Sequence, residues 1–462
     1  MTRQSKLSIL CILALATTVS AQWKEQLLYS FQGYPDGAIP VGSIVYDKQG
    51  NLYGATLSGG LRSCSAPGGG CGTVYELSPP VKKGDPWTET QVHLFQGRAF
   101  GDGSDPAGGL IMDAAGNLYG TTEYDGSGNC NLLGGVVGCG TVYELSPPAQ
   151  PGGAWTETVL YNFQGGNDGY IPTGDLVFDK VGNLYGVTLF GGGRGTNCGD
   201  SLYPNCGTVF ELSPPQTKGG GWTEKVLYSF SGLEPESIAG DGSEPNGGLV
   251  LDEAGNIYGT ASRGGSMIPS CGGQGELSGC GATFELVPPK QNGSAWTENV
   301  LYRFEGALND GAGPNGNLIL AEGTLYGTTL SGGSGEFGIV YSLKPSKAKN
   351  QWVKTTLYSF GGGNNPGFPK GGLTVTRSGD VLGTASGGGA TFAGAIFELM
   401  PPKPGGEWGL LDLYDFGQPP AAAHPIGELV SDGSNNFYGI TQSGGTGQAC
   451  DGGCGTVYEA SP

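Results

Sequence analysis

Two series of aspartates carry the clearest chemistry in this chain of 462 residues. In the first series each aspartate directly precedes a glycine: Asp36, Asp102, Asp168, Asp241 and Asp310. Carboxylate oxygens are the ligands that Ca²⁺ prefers, so this series could hold Ca²⁺ or form a contact surface for polar ligands. Asp-Gly is also ordinary loop chemistry, because aspartate closes turns and glycine adopts positive φ. Both interpretations stay open, with loop formation favoured.

The second series ends a strand-like run in each of five segments: Asp47, Asp113, Asp179, Asp252 and Asp432. In the segment Asp179-Lys180-Val181-Gly182-Asn183 the aspartate can cap the turn while the glycine takes positive φ. We expect these five aspartates to cap hairpin turns rather than to bind a ligand.

Histidine chemistry is scarce. The chain has two histidines, His93 and His424, in separate segments, so a Ser-His-Asp or Cys-His arrangement would depend on chance placement. His93 stands where a related segment has Tyr161, and we interpret it as a packing substitution. No phosphate-binding loop, zinc motif or dinucleotide fingerprint is present. We therefore assign no catalytic residue and no firm metal ligand.

Ten of the 11 cysteines fall into close pairs, and in each pair the second cysteine precedes a glycine. The pairs are Cys64–Cys71, Cys130–Cys139, Cys198–Cys206, Cys271–Cys280 and Cys450–Cys454. In two further segments both cysteines are missing, and Phe337 and Ala393 stand at the second position. Because the two members are lost together, we predict five disulfides within loops. Thiolate metal binding is the alternative, but no facing C-x-x-C pairs support it.

All of these residues belong to a sequence repeat, and each repeat begins at one of the seven tryptophans. The repeats start at Trp23, Trp87, Trp155, Trp222, Trp296, Trp352 and Trp408. The shared pattern is W-T-E-x-x-L-Y-x-F, a Gly/Asp/Pro loop, G-G-L-x-x-D-x-x-G-N-L-Y-G-T-T, a second loop and C-G-T-V-Y-E-L-S-P-P. In the third repeat, four strand-like runs cover 155–163, 175–179, 183–188 and 208–213.

Seven units of four short antiparallel strands predict an all-β chain that forms one seven-bladed β-propeller. A β-solenoid is the competing repeat fold, but its units are usually shorter and lack this hairpin order. The chain starts with a tryptophan strand and ends where another such strand would follow. We therefore expect the N-terminal strand, residues 23–31, to complete the last blade, formed by 426–459, and to close the ring.

The repeat units resemble a known family. Residues 108–122 (GGLIMDAAGNLYGTT) and 138–148 (GCGTVYELSPP) are similar to the GloVer tandem repeats of bacterial extracellular proteins. The resemblance covers essentially the whole mature chain and implies export and a propeller-like array, with no catalytic residues to transfer. The strand order is also kelch-like, by analogy only. The family is described with C-terminal anchors, yet this chain ends at Ala460-Ser461-Pro462 with none, so we expect release rather than surface attachment.

Residues 1–21 have the charged start, apolar stretch and small-residue cleavage site of a signal peptide, which leaves 22–462 as the propeller. Removing Arg3 and Lys6 would change the net charge from −19 to −21. Such an acidic chain is a poor partner for nucleic acid. No later segment resembles a membrane span. We expect a secreted monomer, extracellular or periplasmic.

The pattern favours a binding or scaffold protein that presents its disulfide-braced loop face to a protein or glycan ligand. The alternative is an extracellular carbohydrate-active enzyme, a lyase or hydrolase, with carboxylates near the central channel. Catalysis therefore stays an open question, with binding favoured.

Overall fold

The computed structural model describes residues 23–62, 64, 69–132, 135–150, 152–194, 198, 205–217, 219–232, 240–266, 271, 279–291, 293–306, 310–348 and 351–462. The predicted signal peptide lies outside these residues. The described chain is all-β apart from one short 3₁₀ turn, Arg98–Phe100. Its main sheets are seven four-stranded antiparallel blades, which confirms the predicted β-propeller.

The strands of each blade are given from the axis outward. Blade 1 has Gly37–Tyr46, Leu52–Gly59, Thr73–Ser78 and Thr88–Leu94. Blade 2 has Gly103–Met112, Leu118–Asp125, Thr141–Ser146 and Thr156–Asn162, with a side hairpin of Cys130–Leu132 and Gly135–Val137. Blade 3 has Tyr170–Phe178, Leu184–Phe190, Thr208–Ser213 and Thr223–Ser229.

In two of the remaining blades the inner strand is broken. Blade 4 has Ser243–Pro245 with Val250–Leu251, then Ile257–Arg263, Ala282–Val287 and Thr297–Arg303. Blade 5 has Gly311–Ala321, Thr324–Gly332, Ile339–Pro345 and Trp352–Ser359. Blade 6 has Leu373–Val375, Val381–Ala385, Ala395–Met400 and Gly409–Asp415, with a small pair of Pro366–Gly367 and Gly387–Gly388. Blade 7 has Ala423–Ser431, Phe437–Ser443 and Thr456–Ser461, completed by Lys24–Ser30.

The ring closes as the sequence predicts. Lys24–Ser30 pairs antiparallel with Thr456–Ser461, in a register that joins Lys24 to Ser461 and Ser30 to Thr456. The first strand of the chain is therefore the outer strand of the last blade. The first and last strands pair with each other, so neither leaves that edge unpaired.

Aromatic rings join each blade to the next. The phenylalanine that ends a tryptophan strand meets a ring of the following blade edge-on, as Phe31 does with Tyr75 at 5.0 Å between ring centroids. The pair recurs as Phe95–Tyr143, Phe163–Phe210, Phe230–Phe284, Phe304–Tyr341, Phe360–Phe397 and Phe416–Tyr458. The glycine of the Tyr-Gly motif makes room for that ring, since a Cβ on Gly54 would lie 2.2 Å from the Tyr75 oxygen.

The tryptophans also serve this packing. Trp155 of blade 2 lies against Tyr53 of blade 1, and Trp352 of blade 5 lies against Tyr258 of blade 4, each at 5.9 Å between ring centroids. They are half-buried elements of the blade-to-blade core.

The hairpin turns confirm the capping role of the second aspartate series. In blade 3, Asp179 Oδ1 accepts hydrogen bonds from the backbone N–H groups of Val181 and Asn183, both at 2.9 Å, and Oδ2 accepts from the Asn183 amide at 2.8 Å. The same bonds form at Asp47, Asp113, Asp252 and Asp432.

The inner strands are longer than expected. The second strand-like run of the third repeat is predicted at 175–179. The inner strand that it forms is Tyr170–Phe178, with a register shift between Thr173 and Val177. The Gly-rich segment before it reads as a loop in sequence, but it continues the strand through a bulge at Gly174, where φ is +70°.

Candidate functional site

Seven glycines, five at bulges of the inner strands and two at the breaks in blades 4 and 6, form a closed ring around the propeller axis. A Cβ placed on any of them would lie 2.0 to 2.8 Å from the backbone of the ring glycine in the next blade. In ring order they are Gly42, Gly108, Gly174, Gly247, Gly316, Gly371 and Gly427, which returns to Gly42. The inner strands therefore meet backbone to backbone, and only glycine fits at these seven positions.

A cavity of about 360 Å³ lies on the axis at this ring. All seven blades line it, and the lining includes Asp175, Asn317, Asn246 and Lys370. The buried Oδ1 of Asn246 has no hydrogen-bond partner in the part of the chain that the structure describes. The cavity thus combines peptide groups of the glycine ring with a few polar side chains, which can donate and accept hydrogen bonds.

Two polar side chains that follow ring glycines bind each other across the axis. The Asn317 amide donates to Asp175 Oδ2 at 2.7 Å, and Asn317 Oδ1 accepts from the Gly248 backbone at 2.7 Å. Asp175 Oδ1 also accepts a short hydrogen bond from the Gly109 backbone N–H. These bonds cross blades 2 to 5 and hold the Asp175 carboxylate in place.

Glu428 occupies the equivalent axial position of blade 7. Burial raises the pKa of its carboxyl to about 7, with a further contribution from the negative charge of Asp175. Asp175 and Glu428 are thus two carboxyl groups near the axis, the region where the alternative prediction of a carbohydrate-active enzyme expected carboxylates.

The cavity extends toward the face that carries the Asp-Gly and cysteine loops. Leu57, Glu123 and Gln442 line it, and each comes from the last part of a second strand, which leads into the cysteine loop. Backbone bonds such as Gly60 N–H to Asp36 O, at 2.8 Å, place the two kinds of loop side by side. Burial raises the pKa of Glu123 to about 7.

A second ring of backbone contacts surrounds this end of the cavity. At each blade boundary an inner-strand N–H donates to the carbonyl of the residue at the second-cysteine position, as Asp105 does to Cys71 at 3.0 Å. The donors are Ile39, Asp105, Ile171, Glu244, Gly313, Phe368 and His424, and every one has positive φ. Positive φ is costly for β-branched isoleucine, so inter-blade bonding maintains a strained backbone around the cavity mouth.

The five predicted disulfides are present, with Cα–Cα distances of 5.1 to 5.3 Å. Each stabilises the loop whose cysteine carbonyl receives the inter-blade bond. In blade 5 the cysteine is replaced by Phe337, which keeps the carbonyl bond to Phe368 and packs against its ring at 5.1 Å. Ala393 keeps the same bond, to His424.

The Asp-Gly aspartates lie at five separate blade boundaries, near the outer strands. Asp168 accepts from the Tyr161 hydroxyl at 3.0 Å and from the Gln164 backbone N–H at 2.6 Å. Asp36, Asp241 and Asp310 bind Tyr29, Tyr228 and Tyr302 in the same way, and Asp102 contacts His93. The carboxylates thus bind their own loops, and among the described residues no three of the five come within metal-binding distance of one another.

A glutamate of the next outer strand faces most of these aspartates, a feature that sequence reasoning missed. Burial raises the pKa of Glu224 to about 8, and the negative charge of Asp168 contributes. Burial and a neighbouring aspartate likewise raise the pKa of Glu89 and Glu298 to about 7. The only signal of these glutamates in the sequence is their recurrence in the W-T-E motif, at the start of a strand in which apolar and polar residues alternate.

Because the pKa values of these glutamates are raised, we expect the free energy of unfolding to fall as the pH rises. A carboxyl whose pKa is higher in the folded protein stabilises the fold while protonated, and that stabilisation disappears as pH rises from about 4.5 to 8. We expect the melting temperature to fall between pH 5 and pH 8.5. Glu224→Gln should make the free energy of unfolding less dependent on pH. The slope should fall by at most about 1.4 kcal/mol per pH unit, and by less because solvent screens this half-buried carboxyl.

Scanning calorimetry across this pH range tests the prediction. Glu253→Gln, in the exposed turn of blade 4, is the control and should keep the wild-type slope. Equal slopes for Glu224→Gln and the wild type would contradict a role for the boundary carboxyls.

Sequence and structure comparisons give the following matches. The Gloeobacter/Verrucomicrobia repeat matches residues 15–273 and 270–462. No curated protein sequence matches the chain. Within the described residues, no helix is long and apolar enough to cross a membrane.

Several solved structures share low similarity with the chain. A protein of unknown function from Dyadobacter fermentans is 13% identical over 84% of this chain and 97% of its own, with a TM-score of 0.40. The PQQ-bound aldose sugar dehydrogenase of Streptomyces coelicolor is 11% identical over 96% of this chain and 98% of its own, with a TM-score of 0.40. Trypanosoma rangeli sialidase is 12% identical over 83% of this chain and 57% of its own, with a TM-score of 0.41. These TM-scores are too low to carry an argument about function.

Proposed function

The chain belongs to the Gloeobacter/Verrucomicrobia repeat family, and from that premise we propose that it is an exported β-propeller that binds a glycan in its axial cavity. The observation that carries this proposal is the cavity of about 360 Å³, with its peptide-lined ring and the unpartnered Asn246 Oδ1. The rigid glycine ring provides a preformed site, which lowers the entropic cost of binding.

A sugar suits this cavity better than a protein partner does. Sugar hydroxyls both donate and accept hydrogen bonds, and the lining offers carboxylates, carboxamides and one cation, Lys370. A volume near the lower end of known ligand pockets holds one or two sugar rings. A protein partner would need a broad contact face instead.

Binding is favoured over catalysis by the state of the axial carboxylates. Asp175 accepts hydrogen bonds from Gly109 and Asn317, so its oxygens already serve to join blades. A general base needs a free oxygen within reach of the substrate. We therefore assign Asp175 to holding the blades in position around the cavity, and not to glycoside cleavage.

Export is part of the same proposal. Disulfides persist in oxidising compartments, and five of them brace the loops around the cavity mouth. Together with the N-terminal sequence of residues 1–21, they support action outside the cytoplasm.

A glycan array with the mature protein, followed by a digestion assay on the glycans it retains, tests the proposal. We expect binding without new reducing ends, and we expect Lys370→Ala to weaken it by about tenfold, the value of one charge-assisted hydrogen bond. The matched control is Lys180→Ala, in an exposed hairpin turn on the opposite face. Turnover of a retained glycan, or no retained glycan, would overturn the proposal.

A further inference from the structure

One blade boundary carries a histidine where the others carry tyrosine. His93 lies on the outer strand of blade 1 and pairs with Val74 of the third strand. Tyr161 pairs with Val142 at the same position in blade 2. Tyr161 donates its hydroxyl to Asp168, whereas His93 places Nε2 3.3 Å from Asp102 Oδ2. The substitution therefore keeps the contact and exchanges a hydroxyl for an imidazole nitrogen.

The imidazole meets two carboxylates at this boundary. His93, Asp102 and Glu157 each offer a ligand atom, and the three atoms lie within 4.8 Å of one another. No other three histidine, cysteine or acidic side chains in the described ranges come this close. Asp102 is 4% exposed, and among the described residues neither its buried Oδ1 nor Oε1 of Glu157 has a geometrically defined hydrogen-bond partner. Two buried acceptor atoms thus border one small space, in which the donors are the His93 imidazole and a proton that the two carboxyl groups can share.

We propose that His93, Asp102 and Glu157 bind one divalent transition-metal ion, with Zn²⁺ as the representative ion, and that this ion joins blade 1 to blade 2. One imidazole nitrogen and two carboxylate oxygens are ligands that Zn²⁺ accepts, and three protein ligands leave a position for water. The ion's two positive charges would balance the two carboxylates. Ca²⁺ fits less well, because it takes six to eight oxygen ligands.

Another boundary already contains a cation beside the equivalent aspartate. Lys354 of blade 5 places Nζ 2.7 Å from Asp310, at the strand position that is glutamate in blades 1 to 4. The Asp-Gly carboxylate is thus a site where this fold accommodates positive charge. At the blade 2 boundary, the ion pairs of the described chain include no lysine or arginine partner for Asp102.

Calorimetric titration of the EDTA-treated mature protein with Zn²⁺, with Ca²⁺ as the comparison ion, tests the site. We expect one equivalent of Zn²⁺ to bind, and Co²⁺ to give visible d–d absorption at the same stoichiometry. His93→Tyr installs the residue used at the other boundaries and should fold normally. Because even outer-shell changes cost about 10–100-fold in metal affinity, loss of a direct ligand should cost at least as much.

Two further variants make the test specific. Glu157→Gln keeps the side-chain shape and should weaken Zn²⁺ binding as His93→Tyr does, whereas His424→Ala, at the chain's other histidine, should bind as the wild type does. Equal melting temperatures of metal-free wild type and His93→Tyr would show that the loss is not due to misfolding. No Zn²⁺ binding by the wild type, or an unchanged equivalent in His93→Tyr, would overturn the proposal and leave a histidine–carboxylate ion pair.

Discussion

Deleting residues 22–32 should abolish the cooperative folding of the whole propeller. The deletion removes the outer strand of blade 7 and with it Phe31, which is fully buried against Tyr75 of blade 1, and Leu28, which is 7% exposed. Loss of one buried phenylalanine side chain alone costs about 3–5 kcal/mol, and here the loss adds to six pairs of the strand ladder. Thermal unfolding followed by circular dichroism should show a broad transition or none.

A circular permutant separates the role of the strand from the role of the chain end. In the other six blades the third and outer strands are consecutive in sequence. In five of these blades a Pro-Pro connection such as residues 79–86 joins the two strands, and blade 5 has Pro345-Ser346 instead. Moving residues 22–32 behind Pro462 with such a connection should restore a single sharp transition. A deleted protein that melts at the wild-type temperature would refute closure by this strand.

Gly42→Ala should destabilise the protein by about 3 kcal/mol or more beyond the cost of positive φ. The new Cβ would lie 2.0 Å from the backbone of Gly108 and Gly109, which belong to the next blade. Backbone atoms in a closed ring cannot move aside without displacing the following blade, so we expect strain at more than one boundary. Chemical denaturation with matched m-values measures the effect.

Gly323→Ala is the control for this substitution. Gly323 has φ of +72°, close to the +64° of Gly42, but a Cβ there meets no atom within 4 Å. It should cost only the left-handed conformation, about 1–2 kcal/mol. If the two substitutions cost the same, the ring of glycine contacts does not constrain the axis.

These effects share a cause, which is that the blades meet through a few contacts repeated at every boundary. Each boundary has a glycine contact at the axis, a backbone hydrogen bond to the carbonyl at the second-cysteine position and an edge-on aromatic pair further out. In repeat proteins, stability depends on such neighbour contacts, and a closed ring has no free end where a defect can be isolated. A change at one boundary therefore affects the whole ring.

Local features were predictable from the sequence because the groups involved are close along the chain. The seven tryptophans marked the outer strands, the second aspartate series marked the hairpin turn in five blades, and cysteines 4 to 9 residues apart marked the disulfides. The position of the first strand followed from the incomplete last repeat. Periodicity and turn chemistry act over a few residues, so a single repeat already contains their signal.

Contacts between repeats were decided only by the tertiary structure. Asp175 and Asn317 are 142 residues apart and meet because the ring brings blades 3 and 5 to one axis. His93 looks like a packing substitution in sequence, and only the fold places it beside the buried carboxylate of Asp102 and the half-buried carboxylate of Glu157. Local pattern thus determined what each blade is, whereas the closure of seven blades determined which polar groups share an environment. That environment sets their pKa values and their capacity to bind a ligand, because both depend on burial and on charges that distant repeats contribute.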